Sequence, residues 1–239
     1  MRRWIITITA FALMGMTGCY TTGLSPREYG SSTYTKLVYG LYYDQPESST
    51  QGAFTKPIKL GVAQIGEVAP PKSFTSLLQH SPTLISEVID IPQLGAEQTG
   101  YGYYQQKEED IEAEAVKFAK RTTAMRKLAK ELGADYVFLF GGNIDMETIG
   151  SPLGIFDITI IGGAIIPSQT VKAEAKAAGA LVDTEDGRVV FLVNTETQAQ
   201  GVTPSWFLED KQKRMQIKLR DQILGELGQK FLEKLEAQK

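Results

Sequence analysis

The chain has 239 residues, of which 42% are hydrophobic and 22% are charged, and this composition excludes wholesale disorder and collagen-like or low-complexity classes. The formal net charge of −3 argues against a nucleic-acid-binding protein, which normally carries a basic face. One histidine (His80) and one cysteine (Cys19) exclude an intrachain disulfide, a CxxC pair and a zinc cluster built from these residues. We therefore expect a globular protein that has no metal or other cofactor and is not an enzyme.

The N-terminus has the layout of a secretory signal peptide. Its parts, in order, are a positive pair (Arg2 and Arg3), an uncharged apolar stretch (residues 4–16), two small residues (Thr17 and Gly18) and Cys19. The apolar stretch is shorter than the ~20 residues that a helix needs to span a bilayer comfortably. A short membrane anchor that is not cleaved, or a buried first helix, is the alternative interpretation.

The residues Met16-Thr17-Gly18-Cys19 resemble the bacterial lipobox, in which a signal peptidase cuts before a lipid-modified cysteine. The family usually has leucine where Met16 stands. The resemblance implies a diacylglyceryl thioether on Cys19 and an acyl group, such as palmitate, on its new amino terminus. Several acyl chains anchor a protein far more firmly than one. Tyr20, where an aspartate would imply retention in the inner membrane, implies sorting to the outer membrane, with the protein facing the periplasm.

The chain divides into a signal peptide (residues 1–18), a lipidated cysteine with a tether (residues 19–56) and a single periplasmic domain (residues 57–239). The tether is rich in Ser, Thr, Gly and Tyr and has no sustained periodicity. Because a fully flexible linker seldom carries many aromatic residues, we expect residues 36–43 to dock on the domain. A sugar-stacking segment is the alternative.

The first half of the domain shows alternating strand and helix signals. We predict strands at residues 59–65 and 86–92, a helix from the N-cap Ser73 to residue 79, a loop at residues 95–106, a helix over residues 108–132 and a buried strand over residues 134–140. The long helix has apolar residues at alternating spacings of four and three, and Gly133 stands where a C-cap glycine is expected.

The second half begins with Gly141-Gly142-Asn143, where we predict a bulge or bend instead of a phosphate-binding loop, followed by strand at residues 144–146. Residues 170–184 and 188–200 alternate between polar and apolar and predict a hairpin joined by Glu185-Asp186-Gly187. From Trp206 onward, apolar residues repeat every four positions and predict a helix. The predicted fold class is α/β (α+β), with a mixed sheet covered by helices in the order β-α-β-α-β, followed by a long hairpin and a C-terminal helix.

Candidates for catalysis and metal binding are few. His80 lacks any supporting nucleophile motif, and we interpret it as a surface or capping histidine. Asp183, Glu185 and Asp186 miss the spacing of a calcium-binding loop, and hairpin turn chemistry explains them.

Residues 149–167 are strongly apolar and contain one charged residue, Asp157. Glycines and prolines interrupt the segment, so we expect two short β runs at residues 155–161 and 164–166 and no spanning helix. Packing against the sheet is the favoured role, and a subunit interface or a membrane-contacting hairpin are the alternatives. The candidate interface residues are Ile155, Phe156, Ile158, Ile160 and Ile161.

The stretches LGADYVF and LVDTEDGRVV, together with the C-terminal helix, resemble the periplasmic α/β domain of CsgG-like and LpoB-like outer-membrane lipoproteins. The stretch FDITIIGGAIIPSQTVKAEA is more similar to the rhombotarget lipoproteins. The resemblance covers about residues 58–235. It implies a non-enzymatic envelope protein that binds another protein as an activator, a scaffold or a channel subunit, and it carries over no binding residues.

Three functional hypotheses follow. The leading one is a protein-interaction or assembly module at the periplasmic face of the outer membrane, anchored by its N-terminal lipid, with an envelope protein or a second copy as partner and no nucleic acid. A sheet edge or residues 149–167 would make the contact. The first alternative is a protein that binds or hydrolyses peptidoglycan or another envelope glycan through carboxylates and the tyrosines around Tyr101, Tyr103 and Tyr104. The second is a subunit of a CsgG-like secretion assembly.

Overall fold

The computed structural model describes residues 54–92, 110–153 and 166–238, with the backbone alone for residues 110–118. These residues form β1 (Ile58–Gln64), α1 (Lys72–Gln79), β2 (Ile85–Asp90), α2 (Asp110–Glu131), β3 (Tyr136–Gly150), β4 (Gln169–Asp183), β5 (Val189–Thr203), a 3₁₀ turn (Ser205–Phe207) and α3 (Leu208–Ala237).

The five strands form one mixed sheet in the order β2-β1-β3-β4-β5. Strand β1 pairs in parallel with β2 and β3, and the β3-β4-β5 part is antiparallel. Parallel neighbours need a crossover connection, and α1 supplies the one between β1 and β2. The predicted α/β fold class, with a mixed sheet, a long hairpin and a C-terminal helix, is confirmed.

The predicted N-cap of α1 is wrong. The helix begins at Lys72, and Pro71 is its N-cap, without a capping side chain. The carbonyl oxygen of Pro71 accepts hydrogen bonds from the backbone N–H groups of Phe74 (3.0 Å) and Thr75 (3.2 Å). The proline has an extended backbone with φ fixed at −63°, which suits the entry to a helix, so the helix starts before Ser73. At the end of α2, by contrast, Gly133 has the positive φ of 85° that its predicted C-cap role requires.

The predicted bulge or bend at Gly141-Gly142 is also wrong. The pairing of β3 with β4 runs without a register shift from Tyr136↔Asp183 to Gly150↔Gln169. A Cβ atom at Gly142 would lie 2.7 Å from the carbonyl oxygen of Lys176. The glycine therefore permits close approach of two paired strands, and β3 continues ten residues beyond its predicted end at residue 140.

The larger hydrophobic core lies between the sheet and helices α1 and α3. Its centre is aromatic: the Phe138 ring lies 4.3 Å from Phe231 and 5.7 Å from Phe140, and Phe74 lies 4.5 Å from Phe140 (centroid distances). Helix α3 buries the apolar positions that its sequence repeat predicted, namely Met215, Leu219, Ile223, Leu224, Leu227, Phe231 and Leu235. Thirty helical residues span about 45 Å, so α3 is nearly as long as the 15-residue strands that it covers, which extend about 50 Å.

A smaller core lies on the opposite face of the sheet, against the second half of α2. It consists of Ala63, Ile91, Met125, Ala129, Ala134, Val137, Leu139, Ala180 and Val182. On β3 and β4 this core ends at Leu139 and Ala180, which are register partners. We call the strand residues beyond this point (141–150 of β3, 169–178 of β4 and 194–203 of β5) the far half of the sheet.

The near end of the sheet is joined to the start of the described chain. The ring of Phe54 lies 5.0 Å from that of Tyr136, and Lys56 Nζ donates a hydrogen bond of 2.8 Å to the carbonyl oxygen of Glu236. The chain that precedes the domain therefore enters at the end where β3 begins and α3 ends.

Candidate interaction surface

Strands β3 and β5 are both edge strands in the far half. Strand β1 ends beside Phe140, where the N–H of Ile65 donates to the carbonyl oxygen of Phe140 at 2.8 Å. In the part of the chain that the structure describes, β3 pairs beyond Phe140 with β4 alone, and β5 pairs with β4 alone along its whole length. Among the described residues the far half is thus a three-stranded sheet with two free edges, about 30 Å long.

The register shows which residues face these edges. In a strand the N–H and C=O of one residue point to the same side, and the side alternates along the chain. The Phe140 carbonyl points towards β1, so the even-numbered residues of β3 point away from β4. Leu139 points towards β4, so its partner Ala180 points towards β3 and away from β5. Leu192, the partner of Ala180 on β5, therefore points away from β4. The even-numbered residues of β5 therefore point outward, to the free side.

Two lysines of α3 cover the first part of the β5 edge. Lys234 Nζ donates to the carbonyl oxygen of Leu192 at 2.6 Å, and Lys230 Nζ donates to that of Asn194 at 3.1 Å. Within the part of the chain that the structure describes, no group bonds to the outward backbone groups that follow, at residues 196, 198 and 200. We call residues 196–202 the unguarded edge.

The face of the far half opposite α3 carries charged and amide side chains, and we call it the polar face. Its members are Asn143, Asp145, Glu147, Lys172, Glu174, Lys176, Glu196, Gln198 and Gln200. Glu174 is the centre of their contacts, because its carboxylate lies 3.2 Å from Lys176 Nζ and accepts a hydrogen bond of 3.2 Å from Gln198 Nε2. Gln198 Nε2 also lies 3.4 Å from Glu196 Oε1.

These contacts shift three pKa values. The hydrogen bond with the Glu196 carboxyl, followed by contacts with Lys176 and Gln198, lowers the pKa of Glu174 against the opposing effect of burial. Glu174 in turn raises the pKa of Lys176. Partial burial, followed by repulsion from Glu174, raises the pKa of Asp145, although Lys176 and a hydrogen bond of 2.9 Å from Asn143 oppose this shift. The polar face is a connected charge network next to the unguarded edge.

Several sequence-predicted residues lie outside the described residues. They are the lipobox residues Met16, Thr17, Gly18 and Cys19, the tether segment 36–43, the tyrosines Tyr101, Tyr103 and Tyr104, and the interface candidates Ile155, Phe156, Ile158, Ile160 and Ile161. The two chain ends that flank the last group are joined, because the N–H of Ser151 donates to the carbonyl oxygen of Ser168 at 2.7 Å.

His80 lies at the C-cap of α1 and is exposed. Its Nδ1 lies 2.6 Å from the carbonyl oxygen of Ser76, and its backbone N–H donates to Leu77 at 3.3 Å. These contacts agree with the predicted capping role.

The acidic hairpin turn also agrees with its prediction. Asp183 accepts from the N–H of Glu185 and Asp186 accepts from that of Arg188, both at 2.8 Å, while Gly187 has a φ of 80°. Within the described ranges, no group of three or more His, Cys, Asp or Glu residues is placed to hold a metal ion.

Sequence reasoning predicted contact through a sheet edge or residues 149–167, but it did not place the two free edges of the far half. One signal was present: the predicted strand at residues 170–184 is about twice as long as the predicted strand at residues 134–140. A long hairpin arm beside a short neighbour either leaves its end unpaired or requires that the neighbour continue. The sequence predicted strand again at residues 144–146, but the expected bend at Gly141-Gly142 separated it from residues 134–140, so one continuous strand was not predicted.

No model of a known protein family matches this chain, and a search of the curated proteins found no match. The resemblance to CsgG-like and LpoB-like lipoproteins therefore stays a prediction. Among the described helices, none has both the length and the apolar composition needed to cross a membrane.

Proposed function

We propose that this protein is a lipid-anchored envelope protein that acts as a protein-interaction or assembly module at the periplasmic face of the outer membrane. The motif that ends at Cys19 supports the anchoring, and the unguarded edge of β5 supports the interaction. An edge strand presents a row of unpaired N–H and C=O groups that can pair with another strand. Proteins commonly block such edges with lysine.

The guarding of β5 is uneven, and this contrast carries the proposal. Lys230 and Lys234 occupy the carbonyl oxygens of Asn194 and Leu192, whereas no described side chain bonds to the outward backbone groups at residues 196, 198 and 200. A further lysine of α3, Lys211, lies beside Gly201, with its Nζ 3.0 Å from the position of a Cβ there, and it bonds to none of these groups. An added strand would find main-chain partners there. The side chains of Glu196 and Gln198 on the adjacent polar face would select its sequence, since main-chain bonds supply affinity and side chains supply specificity.

The second free edge favours a particular mode of assembly. The backbone groups at residues 142, 144, 146 and 148 of β3 face away from β4, on the side opposite the unguarded edge of β5. Two different edges on opposite sides of one small sheet allow head-to-tail pairing between copies. Such pairing gives a ring if the rotation closes and a filament if it does not. This observation favours self-association and supports the CsgG-like assembly as the second candidate function.

The edge can be tested in cells with the full-length lipoprotein. A photoreactive amino acid at position 200 reports on contacts of the unguarded edge, and one at Glu233, an exposed position on α3, serves as the control site. We expect an adduct from position 200 and none from position 233. Gln198→Pro removes an outward N–H without removing a bond to β4, so it should abolish the adduct. Gln198→Ala keeps that N–H and should preserve it.

Head-to-tail pairing has its own test. Glu147→Cys on β3 and Gln198→Cys on β5, combined in one chain, should form disulfide-linked ladders of several copies, whereas each single variant should form at most dimers. The natural chain has one cysteine, Cys19, so the new thiols have little competition. If position 200 gives no adduct, or if Gln198→Pro and Gln198→Ala behave alike, the edge is not the interaction site.

A further inference from the structure

Exposed large apolar side chains are concentrated at the far end of the sheet. Eight such side chains are exposed among the described residues, and five of them lie at this end: Ile149, Leu153, Val202, Trp206 and Phe207. We call these five residues the apolar end. Exposed apolar side chains that are concentrated at one end of a domain often mark a contact surface.

The apolar end is formed by two separate parts of the chain, residues 149–153 and residues 202–207. Ile149 and Val202 both pair with Thr170, so their side chains lie on the same face in one row across β3, β4 and β5. Trp206 and Phe207 lie on the 3₁₀ turn that follows the end of β5, and 59% and 48% of their surfaces are exposed. Neither ring belongs to the two hydrophobic cores, and about half of each side chain is exposed.

The neighbouring charges fit a phospholipid headgroup layer. Exposed Lys213 and Arg214 follow Phe207 by about two helical turns on α3. Glu209 and Asp210 lie between Phe207 and these two basic residues, and they offset part of the positive charge. Apolar contact would therefore provide most of the binding, and the two basic side chains would face the headgroup phosphates from the water side.

We infer that the apolar end docks on the surface of a phospholipid bilayer, with Trp206 and Phe207 at the level of the headgroups. Tryptophan prefers this interface because its ring is apolar and its N–H group still finds polar partners. The contact is peripheral. It would turn the three-stranded far half towards the membrane and leave the free edges of β3 and β5 accessible from the side.

The tether is long enough for this orientation. Phe54 lies at the near end of the sheet, about 50 Å from the apolar end, because β4 has 15 residues. The 34 residues from 20 to 53 extend to about 110 Å at most. This step alone depends on the proposed lipid on Cys19; the docking of the apolar end does not.

Trp206 is a built-in reporter of the contact. The chain has two tryptophans, Trp4 and Trp206, and Trp4 is lost with the signal peptide or replaced by Trp4→Phe. The full chain would be mixed with vesicles of phosphatidylcholine and phosphatidylglycerol, with or without bromine on the acyl chains. We expect a blue shift of the Trp206 emission in vesicles, and quenching by the brominated lipid.

Matched variants test whether the apolar end is responsible. Leu153 and Leu132 are both 47% exposed, and they lie at opposite ends of β3. Leu153→Glu combined with Val202→Glu should remove most of the quenching, while Leu132→Glu should leave it unchanged. Because all three side chains are exposed, none of these substitutions should unfold the protein.

Two outcomes would overturn the inference. If Trp206 stays accessible to acrylamide and is not quenched by brominated lipid, it does not contact the bilayer. If Trp206 is already shielded from acrylamide without vesicles, it contacts another copy or another part of the chain. The molar mass from light scattering distinguishes these two cases. Neither outcome affects the proposed strand-edge function, since the photoreactive residue at position 200 reports on that edge independently.

Discussion

The ring of Phe138 occupies the space in which a side chain at position 179 of the neighbouring strand would lie. A Cβ atom at Gly179 would come within 2.6 Å of the Cε2 atom of Phe138, closer than real Cβ contacts allow. The ring is enclosed by Phe74, Phe140 and Phe231, so it has no free space to move into. Glycine at position 179 is therefore a condition for the aromatic centre of the larger core.

Gly179→Ala should destabilise the protein by about 2–3 kcal/mol, the cost of overpacking a dense core. Urea denaturation followed by circular dichroism would measure this change. Gly150→Ala is the matched control on β3, because its Cβ would find its nearest neighbour, an oxygen of Gln169, at 3.8 Å. A value for Gly179→Ala as small as that of the control would contradict the prediction. Phe138→Leu should lower the free energy of unfolding less in the Gly179→Ala variant than in the wild type, and a double-mutant cycle would detect this difference.

Two glycines of α3, one turn apart, should respond differently to alanine. No atom lies within 4 Å of a Cβ at Gly225, so Gly225→Ala should stabilise the protein by about 0.5–1 kcal/mol through helix propensity. A Cβ at Gly228 would lie 2.8 Å from Leu77 Cδ2 and 3.3 Å from Phe74 Cε2 on α1. Gly228→Ala should therefore give no gain. Thermal unfolding of the two variants side by side tests the contrast, and equal stabilisation by both would show that α1 does not pack closely at Gly228.

Thr184 ties the β4–β5 hairpin to the start of β3. Its buried hydroxyl lies 2.8 Å from the carbonyl oxygens of both Ala134 and Asp135. Thr184→Val keeps the shape and removes the donor, so it should cost about 1–3 kcal/mol. Thr184→Ser keeps the hydroxyl and should cost less. If chemical denaturation shows Thr184→Ser to be less stable than Thr184→Val, the lost methyl group matters more than the hydrogen bond.

Asp145 should make stability depend on pH. Burial and repulsion from Glu174 raise its pKa, so the folded state favours the protonated carboxyl, and the stability contributed by protonation is lost as the pH rises through the raised pKa. Asp145→Asn should therefore raise the melting temperature at neutral pH and have a smaller effect in acid. Glu147→Gln, which removes an exposed carboxylate from the same strand, is the control. Melting curves from pH 3 to 8 would show the difference, and a gain that is larger in acid would reverse the inferred sign.

Removal of the two edge lysines should promote self-association. Lys230→Ser with Lys234→Ser frees the carbonyl groups of Asn194 and Leu192, which extends the unguarded edge towards the near half of the sheet. Size-exclusion chromatography with light scattering should show larger species at lower protein concentration than for the wild type. The control, Lys218→Ser with Arg220→Ser, removes the same charge from exposed positions of α3 and should not promote self-association. Equal behaviour of the two double variants would assign the effect to net charge.

The C-terminal helix was predictable because one local rule places its apolar residues. Positions such as Leu219, Ile223 and Leu227 recur every four residues, and a helix brings them to one face whatever lies opposite. The hairpin turn at Gly187 was equally local, since its φ of 80° depends on neighbouring residues. Local periodicity and turn chemistry therefore recovered most of the element types.

Strand β3 shows where local reasoning stopped. Gly141-Gly142 is typical of a break in an isolated segment, yet β4 supplies an unbroken partner from Asp183 back to Gln169. The pairing of distant residues, and not the propensity of two glycines, decides where a strand ends. The interface candidates at residues 155–161 stay a prediction, because they lie outside the described residues.

The sequence by itself determined the identity and order of the secondary-structure elements, because hydrophobic periods and turn residues act over a few positions. Only the tertiary structure decided that β1 stops beside Phe140 while β3 and β4 continue to Gly150 and Gln169, which leaves two edges free among the described residues. It also decided that Ile149, Val202 and Trp206 lie at one end of the sheet. Strand register and chain reversal bring together residues that are far apart in sequence, and no local pattern contains that information.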